Sequence, residues 1–208
     1  MISFLVAEKL TVQRGSRRLI EGLSFAVKAG QALALEGANG AGKTSLLRLI
    51  AGFLPAAAGT VALHDGGKNI SEPEERGRFI GWLGHHDALK ASFTVSEQLV
   101  FFGRLYGRSG DGAALLEEVG LTRQAELPCR YLSAGQKRRL ALARLIAAPA
   151  ALWLLDEPLT NLDADAAAQL LAAIGEHRAA GGRVVLSTHA PIELAGAIRL
   201  SLADFRPA

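Results

Sequence analysis

Cysteine is almost absent from this chain of 208 residues, in which Cys129 is the one example. A single thiol excludes an internal disulfide, and the natural setting of such a chain is a reducing compartment. We expect Cys129 to be a small core or surface residue.

Long apolar runs are also missing. The longest, residues 145–155, is too short to span a bilayer and contains Pro149. The first residues, Met1-Ile2-Ser3-Phe4, carry neither the basic region nor the cleavage pattern of a signal peptide. We therefore expect a chain that faces the cytosol and does not itself cross a membrane.

The chain also has little net charge. Its 23 Lys and Arg residues are nearly balanced by 20 Asp and Glu residues, which leaves a net charge of +3. The basic residues are scattered, and their densest group is only Lys137-Arg138-Arg139. This scattering argues against a nucleic-acid groove, so we expect no direct contact with nucleic acid. The chain also has no sustained heptads and no internal repeat.

The apolar pattern predicts one α/β domain over residues 1–208, since half of the residues are hydrophobic. An edge strand at 4–12 and a strand at 23–27 predict an antiparallel flap, and the polar stretch 65–78 is expected to be a surface excursion. Residues 86–148 are mostly helical in pattern and form a candidate helical subdomain. The remaining elements alternate, which predicts a mainly parallel sheet covered by helices. The predicted strands are 32–36, 59–63, 79–83, 151–155, 184–187 and 198–202, and the predicted helices include 44–51, 137–147 and 164–178.

One stretch fits the pattern G-x-x-x-x-G-K-[ST] without a mismatch, and it lies between the predicted strand 32–36 and an apolar helix. Its glycines let successive backbone N–H groups surround a phosphate, and the helix N-terminus adds its dipole. The lysine would reach the β- and γ-phosphates, and the threonine hydroxyl would complete the coordination of Mg²⁺. The predicted nucleotide-binding residues are Gly37, Ala38, Asn39, Gly40, Ala41, Gly42, Lys43, Thr44 and the following Ser45.

Two adjacent carboxylates, Asp156 and Glu157, end the apolar strand at 151–155. In an open α/β sheet they would emerge at the carboxyl edge, where ligands bind. Asp156 would hold Mg²⁺ directly or through water. Glu157 would accept a proton from the water that attacks the γ-phosphate, or orient that water.

A second helix start also has the features of an anion site. Ser133 and Gln136 fit the S-x-x-Q capping box, and Gly135 on the first turn permits an anion to approach the exposed N–H groups closely. Because the chain already has one phosphate loop, the two phosphate-binding helix ends need not serve the same nucleotide.

Taken together, these motifs resemble the ATP-binding subunits of ABC transporters. Residues 37–44 resemble their Walker A motif, 152–157 their Walker B motif and 132–136 their signature motif; Asn161-Leu162-Asp163 resembles their D-loop, and His189 falls at their switch histidine. The resemblance implies a P-loop fold that hydrolyses ATP with Mg²⁺. It also implies a homodimer that sandwiches two ATPs and a membrane-spanning permease as partner.

The resemblance narrows to the haem-exporter type of subunit used in c-type cytochrome biogenesis. Its traits are Glu36-Gly37, Gly84-His85, the run 132–139 and Leu152-Trp153. It implies a peripheral protein on the cytoplasmic face of the bacterial inner membrane. Haem would be handled by the complex rather than by this chain, since the chain has no Cys-x-x-Cys-His and no organised His/Met pair.

Two positions depart from the ABC pattern. Counting back from Lys43, Arg14 stands where most such subunits place an aromatic ring on adenine. A guanidinium can stack on a base too, so we expect binding with little base selectivity. His85 stands at the position of the Gln that senses Mg²⁺ and water, and we assign it to the catalytic group. The neighbouring His86 is an open alternative.

A partner surface is predicted in the helical region. In the resembling family a groove there receives a short helix of the membrane subunit. Leu89, Phe93, Phe101 and Phe102 could line it, although some of the four could be core residues.

Alternatives for the whole chain are the ATPase of another small-substrate exporter, a soluble ABC-type ATPase acting on nucleic acid, and a regulatory module that does not hydrolyse ATP. Glu157 and His189 argue against the last of these.

Overall fold

The computed structural model describes residues 2–105, 112–160, 162–189 and 194–207. They form two compact units. The first takes its described residues from Met1–Trp82, Ala150–Pro158 and Gly175–Ala208, and the second takes them from Leu83–Pro149 and Leu159–Ile174. The assignment of residues 1–208 to one domain with a helical subdomain at about 86–148 stays a prediction.

An antiparallel sheet of four strands lies in the first unit, in the order β2-β1-β4-β5. The predicted flap is therefore confirmed, but the placing of residues 4–12 at an edge is wrong, because β1 pairs with both β2 and β4. A strand with one buried face has the same apolar pattern at an edge as in the interior of a sheet, so the pattern could not make the distinction. The strands are β1 (Ile2–Arg14), β2 (Arg17–Lys28), β4 (Ala58–Asp65) and β5 (Lys68–Ile70).

The second sheet has five strands in the order β6-β7-β8-β3-β9. The pairs β7–β8, β8–β3 and β3–β9 are parallel, which confirms the mainly parallel sheet. The central strands are continuous apolar runs, as expected where both faces of a sheet are covered. The strands are β3 (Ala32–Glu36), β6 (Ile80–Leu83), β7 (Leu152–Asp156), β8 (Arg183–Thr188) and β9 (Ile198–Ser201).

Residues 1–82 of the first unit also contain two short helices. Helix α1 (Lys43–Ile50) buries its leucines in the core of the unit. The stretch 65–78 is not wholly a surface excursion, because it contains β5 and helix α2 (Pro73–Gly77). Arg76 is buried there and donates to the backbone carbonyls of Val61, at 3.0 Å, and Ser71. The polar sequence concealed this burial because backbone acceptors satisfy the guanidinium.

The second unit is helical. It contains α3 (Val95–Leu105), α4 (Ala113–Glu118), α5 (Ala134–Ala147) and most of α6 (Ala164–Ala179). Its core includes Cys129, which is therefore a core residue, and burial raises the pKa of that thiol. Among the helices that the structure describes, none has the length and apolarity needed to cross a membrane.

Candidate nucleotide site

The phosphate loop joins β3 to α1 in a conformation that requires glycine. Gly40 and Gly42 have φ angles of 80° and 103°, in the left-handed region that side chains disfavour. A Cβ atom on Gly42 would also lie 3.2 Å from atoms of Leu19 and Ile20. Gly42 is thus required both by the backbone turn and by packing against strand β2, and Gly40 by the turn alone.

Two backbone carbonyls hold the Lys43 side chain at this loop. The side chain is nearly buried, with 5% exposure, and its Nζ donates to the carbonyl oxygens of Gly37, at 2.6 Å, and Ala38, at 3.2 Å. The lysine opens helix α1, whose first N–H groups have no partner within the helix. Loop, cation and helix end therefore form one anion-binding surface.

Thr44, Asp156 and Ser187 are joined in one hydrogen-bond network. The hydroxyls of Thr44 and Ser187 both donate to Oδ1 of Asp156, at 3.0 Å and 2.7 Å. The Ser187 hydroxyl also accepts the backbone N–H of Glu157 at 2.8 Å. Sequence analysis missed Ser187, although a polar residue within the buried run of β8 was a signal that a partner lies beside it. That partner is Asp156, which lies opposite Ser187 in the parallel pairing of β7 with β8.

Glu157 follows directly and has an unusual backbone, with φ at 48°. This left-handed conformation carries a strain of roughly 1–3 kcal/mol in a non-glycine residue. It places the Glu157 Oε1 atom 3.7 Å from Nδ1 of His189. That separation is a contact rather than a hydrogen bond. The structure thus brings together two of the residues predicted to be catalytic.

A cavity of about 460 Å³ lies against the loop, and its lining includes residues of the predicted nucleotide site. Arg14, Asn39 and Glu157, which come from widely separated parts of the sequence, all contribute to it. Sequence analysis missed Arg17 and Leu19, whose strand β2 had no motif to mark them. The lining residues are Arg14, Arg17, Leu19, Asn39, Gly40, Gly42, Lys43, Thr44, Ser45 and Glu157.

The residues of the predicted signature motif lie in the second unit. The Ser133 hydroxyl accepts the backbone N–H of Gln136 at 3.2 Å, and the Gln136 side chain accepts the N–H of Ser133 at 2.9 Å. The predicted capping box therefore opens α5, with Gly135 on its first turn. Among the described residues, the lining of the 460 Å³ cavity comes wholly from the first unit.

The loop that carries His85 and His86 is anchored to α5 within the second unit. Both imidazoles are exposed, and their rings meet edge to face with centroids 5.4 Å apart. Arg138 is buried and donates from Nη1 to the Gly84 carbonyl at 2.6 Å and to the Asp87 carboxylate at 3.2 Å. The choice between His85 and His86 for the catalytic role stays open.

Asp163, in the predicted D-loop, pairs with Arg139 of α5 at 2.6 Å. It also accepts the backbone N–H of Ala166 at 2.9 Å, in the first turn of α6. The Ala166 N–H, aided by Arg139, holds the pKa of Asp163 below its ordinary value. Asn161 of the same motif lies outside the described residues.

The structure separates the four residues of the predicted partner surface, which stays a prediction. Phe93 and Phe101 line a cavity of about 710 Å³ along α3, and the other lining residues are Ser96, Glu97, Val100, Arg104 and Leu105. Leu89 instead packs against the core of the second unit. Phe102 lies under the Arg144 guanidinium, whose Cζ is 4.8 Å from the ring centroid. Adjacent helical residues point about 100° apart, so Phe101 and Phe102 face different surroundings.

Comparison with known proteins agrees with this geometry. Residues 20–160 match the family model described as ABC transporter. The cytochrome c biogenesis ATP-binding export protein CcmA of Paramagnetospirillum magneticum is 48% identical over 207 residues, covering 96% of this chain and 94% of the relative. The protein of that name from Rhizobium meliloti is 43% identical over 206 residues, covering 97% and 98%.

Solved structures share the fold. An ABC transporter ATP-binding protein from Pyrococcus furiosus superposes with a TM-score of 0.85 at 23% identity, covering 99% of this chain and all of that one. The ATP-binding subunit of another ABC transporter gives a TM-score of 0.80 at 27% identity, over 90% and 80% of the two chains. The predicted ABC ATPase fold is confirmed, and the chain belongs to the ABC transporter family.

Proposed function

We propose that this chain is the ATP-hydrolysing subunit of an export complex that serves cytochrome c biogenesis, with haem handled by the complex rather than by this chain. One observation carries the enzymatic part of the proposal. The network of Thr44, Asp156, Ser187 and Glu157 joins the phosphate loop to a carboxylate that lines the same cavity. The likeness to the cytochrome c biogenesis export proteins supports the biological role.

The oxygen donors at the loop fit Mg²⁺. The Thr44 hydroxyl and the Asp156 carboxylate lie 3.0 Å apart, and these two oxygen donors would hold the ion, since Mg²⁺ prefers hard oxygen ligands. When bound, the ion would neutralise charge on the phosphates. Ser187 keeps Asp156 in place, because its hydroxyl donates to the carboxylate from a fully buried position.

Glu157 is the residue that accepts the proton of the attacking water. Its carboxylate lines the cavity, and its backbone N–H is fixed by Ser187. His189 lies 3.7 Å from that carboxylate and is the second residue of the catalytic group. Lys43, Gly40 and the other loop residues hold the phosphates, so the charge that develops on them meets preorganised N–H donors.

Two copies of the chain work together with a membrane-spanning partner. The Ser133 helix start of each copy faces the phosphates bound by the other, and Gly135 and Gln136 complete that contact. Identical subunits most often pair through such a self-complementary face. The pair attaches to its permease at the cytoplasmic face of the inner membrane, through the 710 Å³ cavity that Phe93 and Phe101 line.

The test uses the tagged chain in its native host. Purification from detergent-solubilised membranes should recover a polytopic membrane protein in stoichiometric amount. Deletion of the chain should abolish covalent haem on c-type cytochromes, seen by haem staining. Restoration by the parent chain but not by Lys43→Ala would tie the role to nucleotide binding. Normal c-type cytochromes in the deletion strain would overturn the proposed role.

A further inference from the structure

The β1–β2 hairpin supplies part of the lining of the nucleotide cavity, beside the residues of the phosphate loop. Arg14 and Arg17 are directly opposite each other in the register of this hairpin, and both line the 460 Å³ cavity. Lys43 and Thr44 take the phosphates under the proposed function, on which this inference rests. The ribose and base of the nucleotide therefore face Arg14 and Arg17.

Arg14 and Arg17 repel each other, and an electron-rich group bound between them would reduce that repulsion. Like charges directly opposite in an antiparallel pair destabilise the sheet. The neighbouring Arg18 has a carboxylate at 3.0 Å, from Glu21. Within the described part of the chain, the guanidinium groups of Arg14 and Arg17 have no hydrogen bond or ion pair to a carboxylate. A bound base edge with two acceptors would lie between these cations and offset their repulsion.

The chemistry of the two arginines favours one purine over the other. A guanidinium has five N–H donors and no acceptor. Guanine presents two acceptors, O6 and N7, on one edge, whereas adenine presents N7 and the N6 amino donor. No aromatic ring is among the described residues that line the cavity. Stacking on a guanidinium face does not distinguish the bases, so hydrogen bonding decides between them.

We infer that the site takes GTP as a substrate at least as well as ATP, with Arg14 and Arg17 as its specificity-determining residues. The recognised features are O6 and N7 of the purine. Inosine triphosphate carries both acceptors without the 2-amino group and should bind like GTP. The 7-deaza analogue of GTP lacks N7 and should bind more weakly than GTP.

The experiment is competition binding to the purified full-length chain with Mg²⁺, using labelled ATP displaced by each of these nucleotides. We expect GTP and inosine triphosphate to compete within about threefold of ATP or better, which is under 1 kcal/mol. Arg14→Ala or Arg17→Ala should weaken GTP by about tenfold and ATP much less, in line with the discrimination of one bidentate arginine contact.

Arg78→Ala is the control. Arg78 is an exposed arginine of the first unit and lines neither the nucleotide cavity nor the adjoining cavity of about 850 Å³, which shares Arg17, Leu19, Asn39 and Gly40 with it, so both affinities should stay unchanged. ATP binding with GTP more than tenfold weaker would overturn this inference and leave the proposed ATPase standing. Equal losses of ATP and GTP in the Arg14 and Arg17 variants would overturn it as well. Binding of neither nucleotide would overturn the proposed function together with the inference.

Discussion

The Ser187 hydroxyl donates to Oδ1 of Asp156 at 2.7 Å from a position with no solvent exposure. The Ser187 hydroxyl oxygen also accepts the backbone N–H of Glu157. One hydroxyl therefore positions both carboxylate residues at the end of β7. A residue outside the predicted motifs thus holds those motifs in place.

Replacing Ser187 with Ala should lower turnover without removing nucleotide binding. The change leaves a buried carboxylate and a backbone N–H short of a partner, which costs about 1–3 kcal/mol of the free energy of unfolding. We expect kcat for ATP to fall while KM changes little, because Lys43 and the loop are intact. Steady-state hydrolysis and urea unfolding measure the two effects. A parental kcat in a folded Ser187→Ala variant would show that the network does not serve the reaction.

The Arg138–Asp87 pair should fix the loop that carries the two histidines. Its side chains are 6% and 22% exposed, and breaking a buried pair by removing one partner costs roughly 3–5 kcal/mol. Arg138→Gln should therefore speed amide hydrogen exchange over residues 84–88 and destabilise the protein. Arg123→Gln is the control, since Arg123 is exposed and has no hydrogen bond or ion pair among the residues described. Unchanged exchange in Arg138→Gln would contradict the anchoring.

His177 should make stability depend on pH. Its ring stacks on Trp153 with centroids 4.1 Å apart, and burial lowers the pKa of His177 in the folded protein. The unfolded chain then binds the proton first as the pH falls, so the free energy of unfolding decreases once the pH drops below about 6.5. Urea unfolding at pH 7.5 and 5.5 measures this loss.

His177→Phe keeps an aromatic ring on Trp153 but cannot titrate, so the loss between those two pH values should become smaller. An equally large loss in that variant would assign the pH dependence to other groups.

A charge on the α3 cavity should detach the protein from its membrane partner. Phe101 is 41% exposed and lines that cavity with Phe93. Phe101→Glu should leave ATP binding intact and move the protein from the membrane fraction to the supernatant. Phe53→Glu is a control of the same chemistry, because Phe53 is 68% exposed and belongs to the first unit. Membrane association of a folded Phe101→Glu variant would exclude this surface.

Sequence alone predicted the elements whose signals are local. Strand β3 occupies the predicted residues, and Asp156 and Glu157 lie at the end of β7 as the apolar run and the two carboxylates indicated. The features that the sequence alone did not predict depend on contacts between distant segments. Ser187 gains its role only when β8 lies beside β7, and Phe102 contacts Arg144 only because another helix packs beside α3. Such partners are fixed by the tertiary structure rather than by any local pattern.

Turnover by Glu157→Gln tests most directly whether this chain is an ATPase that works through the cavity at the phosphate loop. Removal of a general base costs about 10²–10⁴-fold in rate, so the variant should bind ATP as the parent does and hydrolyse it at least about 100-fold more slowly. Lys43→Ala should fail at the earlier step and bind no nucleotide. Hydrolysis by Glu157→Gln at nearly the parental rate would contradict the assignment of Glu157 and the proposed mechanism with it.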